Sequence, residues 1–278
     1  MPEERGATLE AILHDYPRLG ADDELNFRCD KGLDCFTCCC RDVSIVLTPY
    51  DVLRMKRALG IDSTEFLEKY TVLAETREQK LPVVLLKMNP EDRRCCFVSE
   101  EGCSIYSHRP WACRMYPLGL AEPKTPHPEE RGFYFLLREE LCHGHGKGTP
   151  CTVREWTSGQ GIESFEMMGA SFKQVMLNEF WQKGEALPPE KTDMYVMACY
   201  DLDRFRRFVF ETRFLQLFDV DETLLEAIRT DDEELLDFAM QWLRFSLFRE
   251  KTMRLKGSIP EPQQRAAGNS GDAPAASR

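Results

Sequence analysis

Apolar residues spaced three and four apart dominate the chain after Trp156. This spacing is typical of helices that bury one face against a core. It predicts four helices, over residues 162–182, 201–217, 222–229 and 232–249. Thr230 and Glu233 have the spacing of a capping box and predict the start of the last helix. The second half of the chain is therefore expected to be helical.

The first half carries shorter elements. Thr48, Pro49 and Asp51 form a strong helix start, with Thr48 as the N-cap, Pro49 at the first helical position and Asp51 at the third. This helix is expected to end at Gly60, and a second one follows with Asp62 or Ser63 as its cap. Two apolar, partly β-branched runs predict short strands, at 43–47 and 83–88.

Together these elements predict an α+β fold that is mostly helical, in which a loop-rich cysteine domain with short strands precedes a packed helical region. A short helix is expected near the N-terminus, with four apolar positions on one side: Leu9, Ile12, Leu13 and Tyr16. The tail is rich in Pro, Gly, Ala, Ser and Gln, which predicts disorder. The expected division is a helical segment at 1–25, a cysteine-cluster metal-binding domain at 26–156, a helical region at 157–256 and a tail at 257–278.

Composition and charge narrow the possible partners. The 278 residues are 42% hydrophobic and 30% charged, which is ordinary for a globular protein of one large or two modest domains. A net charge of −11 argues against a nucleic-acid or anionic-membrane partner. No apolar run approaches the length of a membrane span, and a secretory pattern is missing at the start. We therefore expect a cytoplasmic protein whose partner is an unidentified protein or small molecule.

Twelve cysteines are the chemical signal of this chain, and nine of them lie between Cys29 and Cys113. A reducing cytoplasm disfavours disulfides, so crowding of this kind predicts metal binding. The two clusters are Cys29-x5-Cys35-x2-Cys38-Cys39-Cys40 and Cys95-Cys96-x6-Cys103-x9-Cys113. Close thiol pairs on loops hold soft metals, and a site is expected to close between the two clusters.

The metal and the number of centres stay open at this point. Zinc takes four ligands in a tetrahedron and a [4Fe–4S] cluster takes four thiolates, so nine cysteines supply more than one site. Three consecutive cysteines indicate either two neighbouring centres or one spare thiol, and some members are alternatively small buried apolar residues. Six arginines flank the cysteines and either balance thiolate charge or are plain surface residues: Arg28, Arg41, Arg93, Arg94, Arg109 and Arg114.

Residues 102–117 read GCSIYSHRPWACRMYP. They resemble the GC-x-IY-x2-RP-x2-CR-x-(Y/F)P signature of the YkgJ-type cysteine-cluster family, also called the CxxCxxCC or zinc/iron-chelating family. The resemblance extends over about residues 26–150 and includes Phe27-x-Cys29. The usual C-x2-CC spacing of the family becomes Cys35-x3-Cys39-Cys40 here, with Cys38 in between.

The resemblance implies a set of metal ligands: Cys29, Cys35, Cys39, Cys40, Cys95, Cys103, Cys113 and Cys142. Cys96 ranks below them, because relatives often have another residue there. The family implies an iron–sulfur centre, most simply [4Fe–4S], or zinc. One branch, the flagellin lysine methylases, transfers a methyl group, but this sequence shows no methyl-donor pocket. Whether the chain is an enzyme, with redox or group-transfer activity, or a non-enzymatic zinc-binding module therefore stays open, and no catalytic residue is assigned.

Residues 141–148 form the remaining loop of interest, LCHGHGKG. Its glycines allow close backbone approach, and His143 or His145 either completes a metal site with Cys142 or lies exposed. His108 has the same two interpretations. The loop lacks the spacing of a P-loop, so no nucleotide site is expected there.

Overall fold

The computed structural model describes residues 16–122 and 132–257. The predicted N-terminal helix, apart from Tyr16, and the predicted disordered tail after Gly257 lie outside this part of the chain. The helices are α1 (Pro49–Leu59), α2 (Ser63–Tyr70), α3 (Trp111–Met115), α4 (Val153–Gly159), α5 (Ile162–Met176), α6 (Pro189–Cys199), α7 (Leu202–Glu211), α8 (Phe214–Leu217), α9 (Glu222–Thr230) and α10 (Asp232–Phe248). Short 3₁₀ turns lie at Cys38–Cys40, Tyr106–His108 and Glu179–Lys183. The predicted α+β, mostly helical class is confirmed.

The strands are short and form small antiparallel sheets. They are β1 (Arg18–Leu19), β2 (Glu24–Leu25), β3 (Val46–Leu47), β4 (Thr71–Glu75), β5 (Pro82–Leu86), β6 (Val98–Ser99), β7 (Gly102–Cys103), β8 (Leu118–Ala121), β9 (Phe133–Leu136), β10 (Cys151–Thr152), β11 (Phe218–Asp219) and β12 (Arg254–Leu255). Two sheets have three strands, in the orders β3-β5-β4 and β1-β9-β8, and β2-β10, β6-β7 and β11-β12 form pairs. Loops therefore make up much of the cysteine-bearing half.

Local sequence signals fix the first two helices as predicted. The Thr48 side chain accepts the backbone N–H of Asp51, and the Asp51 carboxylate accepts the N–H of Thr48, which completes a capping box. The helix ends at Gly60, whose φ of 67° is left-handed and favours glycine. For α2 the cap is Asp62, which accepts the N–H of Glu65.

Several predicted boundaries in the helical half were wrong. The helix predicted over 162–182 ends at Met176, and the one predicted over 201–217 is interrupted between α7 and α8. The cap of the last helix is Asp231 rather than Thr230, because the Asp231 carboxylate accepts the N–H of Glu233 at 2.7 Å.

Helix α6 was not predicted at all. Its buried residues include the consecutive run Met197, Ala198 and Cys199, so the helix presents no single apolar stripe. Strand β4 was also missed, and the predicted strands at 43–47 and 83–88 are observed as Val46–Leu47 and Pro82–Leu86. Helix α6 has no apolar stripe and β4 is mostly exposed, so neither element carries the periodicity that predicts a helix or a strand.

A large apolar core joins the two halves of the chain. It packs α1, α2 and the β3-β5-β4 sheet against helices α5 to α10. A second, smaller cluster lies beneath the cysteine-bearing loops and consists of Leu25, Phe27, Met115, Leu118, Val153 and Ile162. The loops that carry the thiols are thus backed by apolar residues from both halves. In the described ranges, no helix has the length and apolar character needed to cross a membrane.

Phe205 provides a direct test of the main core. Its side chain is fully buried and its ring lies 5.4 Å from that of Trp242 and 6.3 Å from that of Phe238. Phe205→Ala is expected to lower the free energy of unfolding by about 3–5 kcal/mol, because it removes a buried aromatic ring and leaves a cavity. Urea denaturation measures this loss. The control is Leu217→Ala, at a side chain that is 58% exposed. It should change the free energy of unfolding by less than about 0.5 kcal/mol.

Candidate metal centre

Four thiols converge where the N-terminal cysteine segment meets the 141–148 loop. We call them the first thiol group: Cys29, Cys35, Cys39 and Cys142. Burial, together with the nearby thiols of the other three members, raises the pKa of Cys29 to about 11. Mutual repulsion of this kind arises when thiolates crowd together, and a bound cation relieves it.

Backbone contacts bring this group together. The N–H of Arg28 donates to the carbonyl of Gly144 at 3.1 Å, and the N–H of Gly148 donates to the Asn26 side chain at 2.8 Å. A Cβ atom at Gly144 would lie 2.2 Å from the Arg28 carbonyl oxygen, so only glycine fits this approach. The glycines of the loop therefore serve to place Cys142 beside Cys29.

The other four predicted ligands form a second thiol group: Cys40, Cys95, Cys103 and Cys113. Burial and the nearby thiols of Cys95 and Cys103 raise the pKa of Cys113 to about 12, and Asp51 adds to the effect. The N–H of Cys95 donates to the carbonyl of Cys40 at 2.8 Å, which holds the two half-sites together. The structure thus brings all eight predicted thiols into two neighbouring groups.

Cys39 and Cys40 are adjacent in sequence but belong to different groups. They lie in the 3₁₀ turn Cys38–Cys40, and a hydrogen bond between their thiols lowers the pKa of Cys39 to about 7 and raises that of Cys40. Cys38, at the start of the turn, is exposed. Cys39 and Cys40 therefore face two neighbouring thiol groups, and Cys38 is the spare thiol of the run.

Of the remaining cysteines, Cys96 lies against the second thiol group, beside Cys95 and Cys103, whereas Cys151 and Cys199 lie apart from both groups. Cys96 hydrogen-bonds to Cys95, whose pKa it lowers to about 7, and lines an open cavity of about 460 Å³ together with Lys69 and Lys87. Cys151 lies in β10 and Cys199 is buried in α6. The lower rank of Cys96 and the omission of the other two stay predictions.

Sulfur spacing bears on the kind of metal. In the ranges 16–122 and 132–257, no three cysteine sulfurs lie within 4.8 Å of one another. Four sulfurs bound to one zinc ion at about 2.3 Å would lie about 3.8 Å apart in a tetrahedron. A cubane cluster separates its cysteine sulfurs more widely, because iron and sulfide atoms lie between them.

One tight set of possible ligands does occur, and it consists of Asp34, Cys35 and His143. The N–H of His143 donates to the sulfur of Cys35 at 3.2 Å, and its Nδ1 lies 2.7 Å from Asp34, whose pKa it lowers. Both Asp34 and His143 are exposed. His143 therefore lies against the first thiol group, whereas the ring of His145 packs 5.2 Å from that of Phe27, and burial lowers its pKa.

The flanking arginines divide by role. Arg109 is the one that acts on the second thiol group, since it opposes the raised pKa values of Cys103 and Cys113. Arg114 is buried and donates to the carbonyls of Arg109 at 3.0 Å and Gln160 at 2.8 Å. It therefore holds these two segments together. His108, the other residue of interest here, has a pKa lowered by burial. Charge balance by the remaining flanking arginines stays a prediction.

Asp51 is a supporting residue that the sequence did not reveal as part of the site. Its carboxylate is 1% exposed and accepts the N–H of Trp111 at 2.7 Å, so the start of α1 is tied to the helix that carries Cys113. Sequence spacing predicted only its place in the first turn of α1. Its partner Trp111 lies 60 residues away in the sequence, so no local pattern predicts the contact.

Asp51→Ala is expected to lower the free energy of unfolding by about 1–3 kcal/mol, because buried N–H groups lose their acceptor. It should also speed metal release from the second thiol group, since α3 positions Cys113. Urea denaturation and release to a chelator measure the two effects. Asp62→Ala removes a cap of the same kind without a link to α3, so it should lower stability and leave metal release unchanged.

The fold and the two thiol groups define an α+β protein with a cysteine cluster of the kind that binds metal ions. Residues 28–143 match the sequence profile of the CxxCxxCC family, described as "Putative zinc- or iron-chelating domain". The match confirms the resemblance inferred from the signature around Cys113. No curated protein matches the chain, and no solved structure does.

Proposed function

We propose that the chain is an iron–sulfur protein with one centre on each thiol group. The observation that carries this proposal is the division of eight thiols into two groups of four, in neither of which three sulfurs lie within 4.8 Å of one another. Four thiolates are the ligand set of a [4Fe–4S] cluster. Zinc, or iron without sulfide, is the alternative that the family description also allows.

The residues around the groups suit this role. All twelve cysteines are free thiols, which favours a reducing compartment such as the cytoplasm. Raised pKa values at Cys29 and Cys113 mean that metal competes with protons for these sulfurs, so loading improves as pH rises. The second group is anchored by Asp51, which links it to the helical core.

Bound iron–sulfur centres supply one-electron transfer, or assist a group transfer, once a partner is present. The adjacent residues Cys39 and Cys40 place the two groups next to each other, and electrons can pass between closely spaced centres. The partner that gives or receives them is a protein or small molecule.

A visible spectrum of protein purified without oxygen tests the proposal. We expect a brown protein whose broad thiolate-to-iron absorption bleaches on reduction. A colourless protein that holds zinc and shows no change on reduction would instead make the chain a zinc-binding structural module.

A further inference from the structure

Tyr116 lies directly after α3, in the same short segment as Cys113, but its side chain faces the first thiol group. The hydroxyl oxygen is buried, and it makes no hydrogen bond of ordinary geometry to any residue in the described ranges. The Cys142 thiol is the polar group that faces it, and Cys39 and Glu139 lie close by. A buried hydroxyl without a partner is unusual, because it loses its bonds to water on folding.

The ring of Tyr116 is held by packing. It meets the ring of Phe27 at 5.8 Å in an edge-on arrangement, and Phe27 in turn packs edge-on against Trp156 at 5.5 Å. Phe27 is buried in the smaller apolar cluster and precedes Cys29 by two residues. The phenol is thus fixed in place beside the thiols by the same apolar residues that support their loops.

The state of the phenol suits a donor. The ordinary pKa of a tyrosine hydroxyl is about 10, and this one is buried, so it keeps its proton at neutral pH. A neutral phenol donates one hydrogen bond, and a metal-bound thiolate is a good acceptor.

We propose that Tyr116 is a positioning residue of the first centre, whose hydroxyl donates a hydrogen bond to the Cys142 sulfur and tunes the metal bound there. The expected change in reduction potential rests on the proposed function. The expected change in metal retention requires only that the first thiol group binds some metal. A hydrogen bond to a ligating sulfur holds the ligand and withdraws charge from it, so it favours the reduced centre.

Tyr116→Phe removes the oxygen and keeps the ring that packs on Phe27, so the fold should persist. We expect the first centre to release metal to a chelator about 10-fold faster or more, with release from the second unchanged. If the centres are iron–sulfur clusters, the potential of the first should become more negative. The measurements are stopped-flow release of metal and a redox titration followed by electron paramagnetic resonance.

Tyr195→Phe is the matched control. Tyr195 also has a buried hydroxyl with no ordinary hydrogen bond among the described residues, but it packs against Trp181 and Tyr200 in the helical core. The Tyr195→Phe substitution should leave metal release and the reduction potential unchanged. Equal behaviour of wild type and Tyr116→Phe in both measurements would overturn the inference. Faster release without any redox signal would support the role of Tyr116 and count against the iron–sulfur assignment.

Discussion

Cys39→Ser is expected to remove metal from the first thiol group and to leave the second loaded, whereas Cys40→Ser should do the reverse. The two residues are neighbours in one 3₁₀ turn, but their thiols belong to different groups. Because each centre uses four thiolates, either variant should retain about half of the wild-type metal. Metal content per chain, measured after purification without oxygen, gives the result.

The double variant and a neighbouring substitution complete this experiment. Cys39→Ser combined with Cys40→Ser should lose nearly all the metal. Cys38→Ser changes an exposed thiol in the same turn and should keep the full content. If Cys39→Ser and Cys40→Ser each lost all the metal, the eight thiols would form a single joint centre, and the division into two groups would be wrong.

Removal of the metal is expected to have the largest effect on stability. The segment from Cys29 to Cys40 contains only one 3₁₀ turn, and its apolar support is the smaller cluster around Phe27. Without metal these loops are held by few contacts, and no metal–sulfur bonds offset the cost of crowding the thiols together. We expect the melting temperature of the cysteine-bearing loops to fall by more than about 10 °C.

Calorimetry and far-ultraviolet circular dichroism, before and after chelation, follow this loss. The helices α5 to α10 pack in the larger core, so most helical signal should survive to a higher temperature than the loops do. Phe205→Ala, which weakens the larger core, should lower the temperature at which the helical signal is lost and leave the melting temperature of the cysteine-bearing loops unchanged. Unchanged melting after complete metal removal would show that the loops do not depend on the metal.

Local chemistry explains what the sequence could predict. Thr48, Asp51 and Gly60 act within one or two turns of chain, so the start and end of α1 could be predicted from residue types alone. The two cysteine clusters could likewise be recognised from their spacing, whereas the set of eight ligands is what the family resemblance implies. Asp231 shows the limit of such rules, since two neighbouring residues both suited the cap and geometry selected the second.

The division of the thiols could not be predicted in the same way. It depends on which side of a turn Cys39 and Cys40 face, and on the approach of Gly144 to Arg28, a contact that joins residues 116 positions apart. Tyr116 illustrates the point further, because it follows Cys113 of the second group by three residues and its side chain faces Cys142 of the first. Long-range packing, rather than local preference, decides such contacts.

The iron and acid-labile sulfide content of the wild-type chain, purified without oxygen, tests the central claim most directly. Two [4Fe–4S] centres predict about eight iron and about eight sulfide per chain, with little zinc. About four of each would leave one thiol group without a cluster and contradict the assignment of two. Zinc in whole-number amounts, with no sulfide, would contradict the iron–sulfur proposal itself.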